Sequence, residues 1–73
     1  MKAEIYSKDN CPYCVEAISI LEKNEVDLTV YKLGVDFTRE ELLEKFPSAK
    51  TFPQIVLNGE SIGGCDSLKK IMS

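Results

Sequence analysis

The sequence predicts an α/β fold, a four-stranded mixed sheet with three helices in the order βαβαββα, and three observations carry that reading. A strand-like run at Lys2 to Ser7 passes at once into a helical segment that opens on Cys11-Pro12-Tyr13-Cys14. A capping box at Thr38-Arg39-Glu40-Glu41 opens a second helix. Asn58-Gly59, flanked by two short β-type runs, is the dipeptide that best accepts both positive φ values of a type I′ hairpin turn.

Taken in order, Lys2 to Ser7 is the first strand and Pro12 to Asn24 the first helix. Cys14, Ile18 and Leu21 form its apolar stripe, with Glu16, Glu22 and Lys23 away from it. Leu28 to Leu33 reads as a second strand with mixed patterning. Thr38 is the N-cap of the second helix and Glu41 reaches back to it; Leu42, Leu43 and Phe46 supply the apolar side, and Pro47 stops the helix. Gln54 to Leu57 and Glu60 to Ile62 form the hairpin, which ends at Gly63-Gly64. A short last helix carries Leu68, Ile71 and Met72 toward the core. The strand, helix and strand at the start imply a parallel pair with a right-handed crossover, to which the hairpin adds antiparallel strands.

At 73 residues the chain is expected to form one domain, spanning 1–73, near the size at which a single core just suffices. The hydrophobic content of 44% and charged content of 29% suit a folded globular chain rather than a disordered one. Nine basic against twelve acidic residues leave a net charge of −3, which argues against a nucleic-acid partner held through phosphates. The first ten residues are too polar for a signal peptide, and no apolar run approaches membrane-spanning length. An odd number of cysteines suits a reducing compartment better than a secreted disulfide framework, so a cytoplasmic location is expected.

The chemistry concentrates at Cys11 and Cys14. Cysteines at i and i+3 on the first turn of a helix face the same way, close enough to bridge. Pro12 falls at the first helical position, where its missing N–H costs nothing. Cys11 is then the N-cap, facing free amides and the positive end of the helix dipole, which stabilise a thiolate and lower its pKa from about 8.5. Lys8 adds positive charge three residues upstream. Cys11 is therefore the expected nucleophile and Cys14, deeper in the helix, the resolving thiol. A structural zinc site would need a second ligand pair, and the chain offers no histidine and only one other cysteine, Cys65. A dithiol at the carboxyl end of the first strand also lies where open α/β sheets bind ligands. The whole arrangement is similar to the thioredoxin-like fold.

Three motifs in order, Lys8-Asp9-Asn10-Cys11-Pro12-Tyr13-Cys14, Thr51-Phe52-Pro53 and Gly63-Gly64-Cys65-Asp66, resemble those of the dithiol glutaredoxins across nearly the whole chain. The resemblance implies a glutathione-dependent thiol–disulfide oxidoreductase, with glutathione as reductant and no metal. It implies glutathionylated and disulfide-containing proteins as clients, and action as a monomer without membrane or nucleic acid. It implies a cis Pro53, so that Phe52, next to Thr51, pairs its backbone with the glutathione cysteine by a short strand addition. It implies that Gly64 and the amides near Cys65 and Asp66 take the γ-glutamyl carboxylate, with the Asp66 side chain accepting its ammonium. Tyr13 and Lys8 resemble residues that contact glutathione near its cysteine and its glycine carboxylate, and Lys45 lies where some members have a further contact to that carboxylate. Taken without the resemblance, Pro53 could merely begin a strand, Asp66 cap a helix, and Lys45 stand solvated. Cys65 reads as a small, partly buried residue beside the site.

Phe52 departs from the small branched residue usual at its position in the family, and Pro47 is an unusual end for the second helix. Other readings stand beside this one. A redoxin served by thioredoxin reductase shares the fold and dithiol, but Tyr13 and Gly63 to Asp66 favour glutathione. An iron–sulfur carrier would use Cys11 and glutathione from two chains, whereas Pro12 and Cys14 resemble the redox-active members. A non-catalytic interaction domain would have little reason to keep both thiols.

Overall fold

The computed structural model describes residues 1–49 and 51–72; Ser73, the last residue of the expected domain, lies outside them. Lys2–Ser7 (β1) is an inner strand, and its alternation serves two cores at once. Ala3 and Ile5 face one side of the sheet and Tyr6 the other. β1 pairs in parallel with Asp27–Lys32 (β2) and antiparallel with Gln54–Leu57 (β3). Antiparallel Glu60–Gly63 (β4) completes the order β2-β1-β3-β4. β3 is buried at all of its positions, as an inner strand covered on both faces must be.

Two helices cover the Ile5 face, Pro12–Lys23 (α1) and Cys65–Met72 (α3). Ala17, Leu21, Cys65 and Leu68 pack there with Ala3, Ile5, Ile55 and Leu57. The opposite face carries Arg39–Lys45 (α2) over an aromatic cluster. Tyr6 stacks on Tyr31 at 4.9 Å and meets Phe37 and Phe46 edge-on, each at 5.2 Å. The α2 capping box is complete: Thr38 Oγ1 accepts from the Glu41 amide at 3.2 Å, and Glu41 Oε1 accepts from the Thr38 amide at 2.9 Å. Phe46, extended at φ −129° and ψ 79°, ends α2 ahead of Pro47, whose ring disfavours a helical predecessor. Asn58 and Gly59 turn the hairpin at φ 51° and 82°. The Asn58 side chain also accepts from the Lys2 amide at 2.9 Å, tying the turn to the start of β1.

The expected elements all form, with shifts at their edges. α1 stops at Lys23 with Asn24 as its cap, β2 begins at Asp27 and ends before Leu33, and β4 extends to Gly63. The apolar stripes differ more. Ala17 rather than Ile18 is the fully buried residue in the middle of α1, because its small side chain allows close approach to the sheet. Glu16 lies off the stripe, as expected, and pairs with Lys69 of α3 at 2.6 Å. Leu43 and Ile71 do not reach the core and remain 42% and 54% exposed. In α3 Cys65 and Leu68 are buried, Met72 packs against them partly buried, and Ile71 falls to the side of this stripe.

Leu68→Ala is therefore expected to cost about 2–5 kcal/mol of unfolding free energy, and Ile71→Ala no more than about 0.5 kcal/mol. Urea unfolding of the two variants beside the parent checks this; similar losses would show that α3 does not dock through Leu68.

Candidate active site

The sheet delivers three segments to one end. The first leaves β1 through Lys8, Asp9 and Asn10, with Asn10 in the left-handed region at φ 55°. Asp9 pairs with Lys32 at the end of β2 at 2.6 Å, bracing this loop against the sheet, and the carboxylate raises the lysine pKa. Cys11 follows as the extended N-cap of α1 at φ −117° and ψ 97°, with Pro12 at the start of the helix. Its carbonyl accepts from the amides of Cys14 at 3.1 Å and Val15 at 3.2 Å. The Cys14 amide also donates to Cys11 Sγ at 3.3 Å. A donor and the positive end of the helix thus face this sulfur and stabilise negative charge on it.

Cys11 and Cys14 are joined as a disulfide across a Cα separation of 5.2 Å, within the ordinary range for a bridge. Their environments differ. Cys11 is 7% exposed and opens onto a groove, while Cys14, at 2%, packs behind it. The outer sulfur is placed to meet a substrate and the inner one to meet only the outer.

The second segment is Thr51-Phe52-Pro53, ahead of β3. The Phe52–Pro53 bond is cis, as the resemblance implies, and the Pro53 side chain is fully buried. The Gln54 side chain donates to the Thr51 carbonyl at 2.6 Å, which fixes the turn. The third segment is the start of α3. Gly63 lies at φ +95°, a conformation that a side chain disfavours. A Cβ on Gly64 would stand 3.4 Å from the Pro53 carbonyl oxygen, an ordinary van der Waals contact, so these two segments lie side by side.

Between these segments runs a groove of about 420 Å³. Tyr13, itself 60% exposed, forms one wall; Thr51, Phe52 and Pro53 form another, and Gly64, Cys65 and Asp66 the third. The structure thus gathers all the expected binding residues but Lys8. That lysine lines a second groove of about 390 Å³ with Cys11, Leu33 and Arg39, and the two grooves share Tyr13, Thr51 and Phe52. Lys8 Nζ lies 5.5 Å from the centre of the Phe52 ring. Lys45 lines neither groove; its ammonium donates to the Tyr6 hydroxyl at 2.8 Å, a bond that raises its pKa. Cys65 is buried and unbridged, and desolvation, reinforced by the Glu16 carboxylate, pushes its thiol pKa up.

Two features escaped the sequence. Arg39 reads there only as a member of the capping box, and its place beside Cys11 follows from how the start of α2 packs near Leu33 and Phe52. The Asp9–Lys32 pair depends on strand pairing, and no local spacing announces it. Among the described residues no group of three or more acidic or sulfur side chains is placed to hold a metal ion, and no helix is long and apolar enough to cross a membrane.

Comparison with known proteins gives this geometry a lineage. A glutaredoxin family model matches residues 3–62. The chain is 38% identical over 68 residues to a probable glutaredoxin of Synechocystis, covering 92% of this chain and 62% of that one, less than two thirds of its length. It is 35% identical over 65 residues to glutaredoxin 3 of Escherichia coli, covering 89% of this chain and 78% of the relative. Among solved structures, the Brucella melitensis glutaredoxin superposes with a TM-score of 0.76 at 30% identity, over 97% of this chain and 77% of that chain. These matches run through the Cys11–Cys14 motif, and the sheet and helices follow the same thioredoxin-like plan: the chain belongs to the glutaredoxin family.

Proposed function

We propose that this protein is a glutathione-dependent thiol–disulfide oxidoreductase that reduces glutathione mixed disulfides and protein disulfides. The observation that carries the reading is the continuity of the site: the groove on Cys11 and the groove between the Phe52–Pro53 corner and the start of α3 share Tyr13, Thr51 and Phe52. Family membership and the bridged pair support thiol–disulfide exchange in general, and the chemistry of the groove supports glutathione in particular.

Glutathione carries two carboxylates, one ammonium and a central thiol, and the surfaces around Cys11 offer a counterpart to each. The Phe52 N–H and C=O have no hydrogen-bond partner among the described residues, so both are free to pair with the peptide backbone at the glutathione cysteine. First-turn amides of α3 suit the γ-glutamyl carboxylate, and the exposed Asp66 suits the ammonium beside it. Lys8 and Arg39, on the second groove, suit the glycine carboxylate. Tyr13 closes the side toward the sulfurs. Lys45 is committed to Tyr6 and takes no part in this reading.

In the exchange, the Cys11 thiolate attacks the glutathione sulfur of a mixed disulfide. The new bond joins Cys11 to glutathione, the bond to the client sulfur breaks, and the client thiolate leaves to take a proton. A second glutathione thiolate attacks the Cys11-bound glutathione sulfur, releasing oxidised glutathione and restoring the Cys11 thiolate. The net exchange consumes one free glutathione, whose sulfur ends paired with the glutathione released from the client, and leaves the client as a thiol. A protein disulfide instead leaves the client bound to Cys11, and the Cys14 thiolate displaces it to form the bridge seen in the structure.

The test is turnover of a glutathionylated peptide with glutathione, glutathione reductase and NADPH supplying electrons. Cys11→Ser is expected to abolish it, whereas Cys14→Ser keeps deglutathionylation and loses protein-disulfide reduction. Activity retained in Cys11→Ser, or electrons accepted only from thioredoxin reductase, would overturn the proposal. Asp66→Ala is expected to raise the glutathione KM severalfold while leaving reduction of the Cys11–Cys14 bridge by dithiothreitol unchanged; equal losses with both reductants would remove Asp66 from the site. Because Cys65 is buried with a raised pKa, brief alkylation of the reduced protein at neutral pH should modify Cys11 and spare Cys65, as peptide mass mapping would show.

A further inference from the structure

Phe52 puts an aromatic ring between Thr51 and Pro53, and the structure gives that ring a definite set of neighbours. It lies on both grooves beside Cys11. Phe37 stacks with it at 6.3 Å with 29° between ring planes. The Lys8 ammonium stands 5.5 Å from the ring centre, inside the range of about 6 Å at which a cation is held by an aromatic face. Lys8 is otherwise an exposed lysine with a long flexible stem, and ordering such a chain on binding costs rotamer freedom. A ring that already restricts it lowers that cost. A small branched residue at position 52 would offer no aromatic face.

We propose that Phe52 is a positioning residue: braced by Phe37, its ring holds the Lys8 ammonium on the Cys11 groove and makes the protein selective for small-thiol disulfides that carry a carboxylate on the Lys8 side. The inference rests on the glutathione reading above and names the group by which that substrate is distinguished, its glycine carboxylate. In that reading the Phe52 backbone pairs with the glutathione cysteine, and its ring acts through Lys8 on the glycine end.

The experiment compares mixed disulfides of one peptide with glutathione and with glutathione amide, in which the glycine carboxylate is an uncharged amide. The parent protein is expected to prefer the glutathione form. Phe52→Leu, which keeps an apolar group against Phe37 but removes the aromatic face, should lose about two- to fivefold in kcat/KM on that form, the size of an exposed cation–π contact. The loss should appear mainly in KM and be smaller with the amide. Phe52→Tyr should retain the preference, and Phe52→Leu should add nothing in a Lys8→Gln background. Equal loss on both substrates, additivity with Lys8→Gln, or full activity in Phe52→Leu would each overturn the inference. Failure of the parent protein on both substrates would overturn the glutathione reading itself, and would be seen before any variant is compared.

Discussion

The register of β1 against β3 is the constraint on which the rest depends. Tyr6 pairs with Gln54 and Ile5 with Ile55 in antiparallel sense, so the chain leaving β1 and the chain entering β3 meet at the same end of the sheet. Cys11 stands a short loop beyond β1, and Pro53 immediately precedes β3. The Ile55–Gly63 pair then brings the start of α3 to that end as well. A slip of one residue would send Ile5 and Ile55 to the aromatic face and Tyr6 to the aliphatic one. The two dissimilar cores therefore protect the register, and the register assembles the site. The far-apart positions 11, 53 and 65 become neighbours with no direct bond among them being needed.

The electrostatics of the site divide into fixed and movable parts. Backbone amides at the starts of α1 and α3 are held by their helices and need no reorganisation when negative charge arrives. Lys8, Arg39 and Asp66 are side chains that line the grooves, and in the proposed function they select what docks there. The division matters in a chain of net charge −3, where the field of the whole molecule repels an anionic ligand and local donors must overcome it. The Asp9–Lys32 pair draws one further lysine away from that task and uses it to brace the loop that carries Cys11.

Most of this was legible in the sequence, for identifiable reasons. β1, the Cys11 cap, the Thr38–Glu41 box and the Asn58-Gly59 turn are set by local chemistry, and each stands where its residues place it. The residues of the main groove were legible because motif order survives folding. What could not be read depends on packing angle. Helical spacing allows either Ile18 or Ala17 at the centre of α1, and only the closeness of the sheet selects the smaller. Ile71 and Leu43 lie beside a stripe rather than on it, a difference smaller than a periodicity argument resolves over helices of 8 and 7 residues. Arg39 required knowledge of where α2 begins relative to Leu33, and Lys45 of how α2 lies over Tyr6.

The Asn58 hydrogen bonds to Lys2 have a consequence for how the molecule can be joined to others. They close the end of the sheet opposite the sulfurs: the hairpin turn and the first strand's opening residue are fastened together there, with the Asn58 amide donating to the Lys2 carbonyl at 2.8 Å. The polypeptide therefore enters the fold at its chemically quiet pole. A tag or tether joined ahead of Met1 departs from the side of the sheet remote from Cys11.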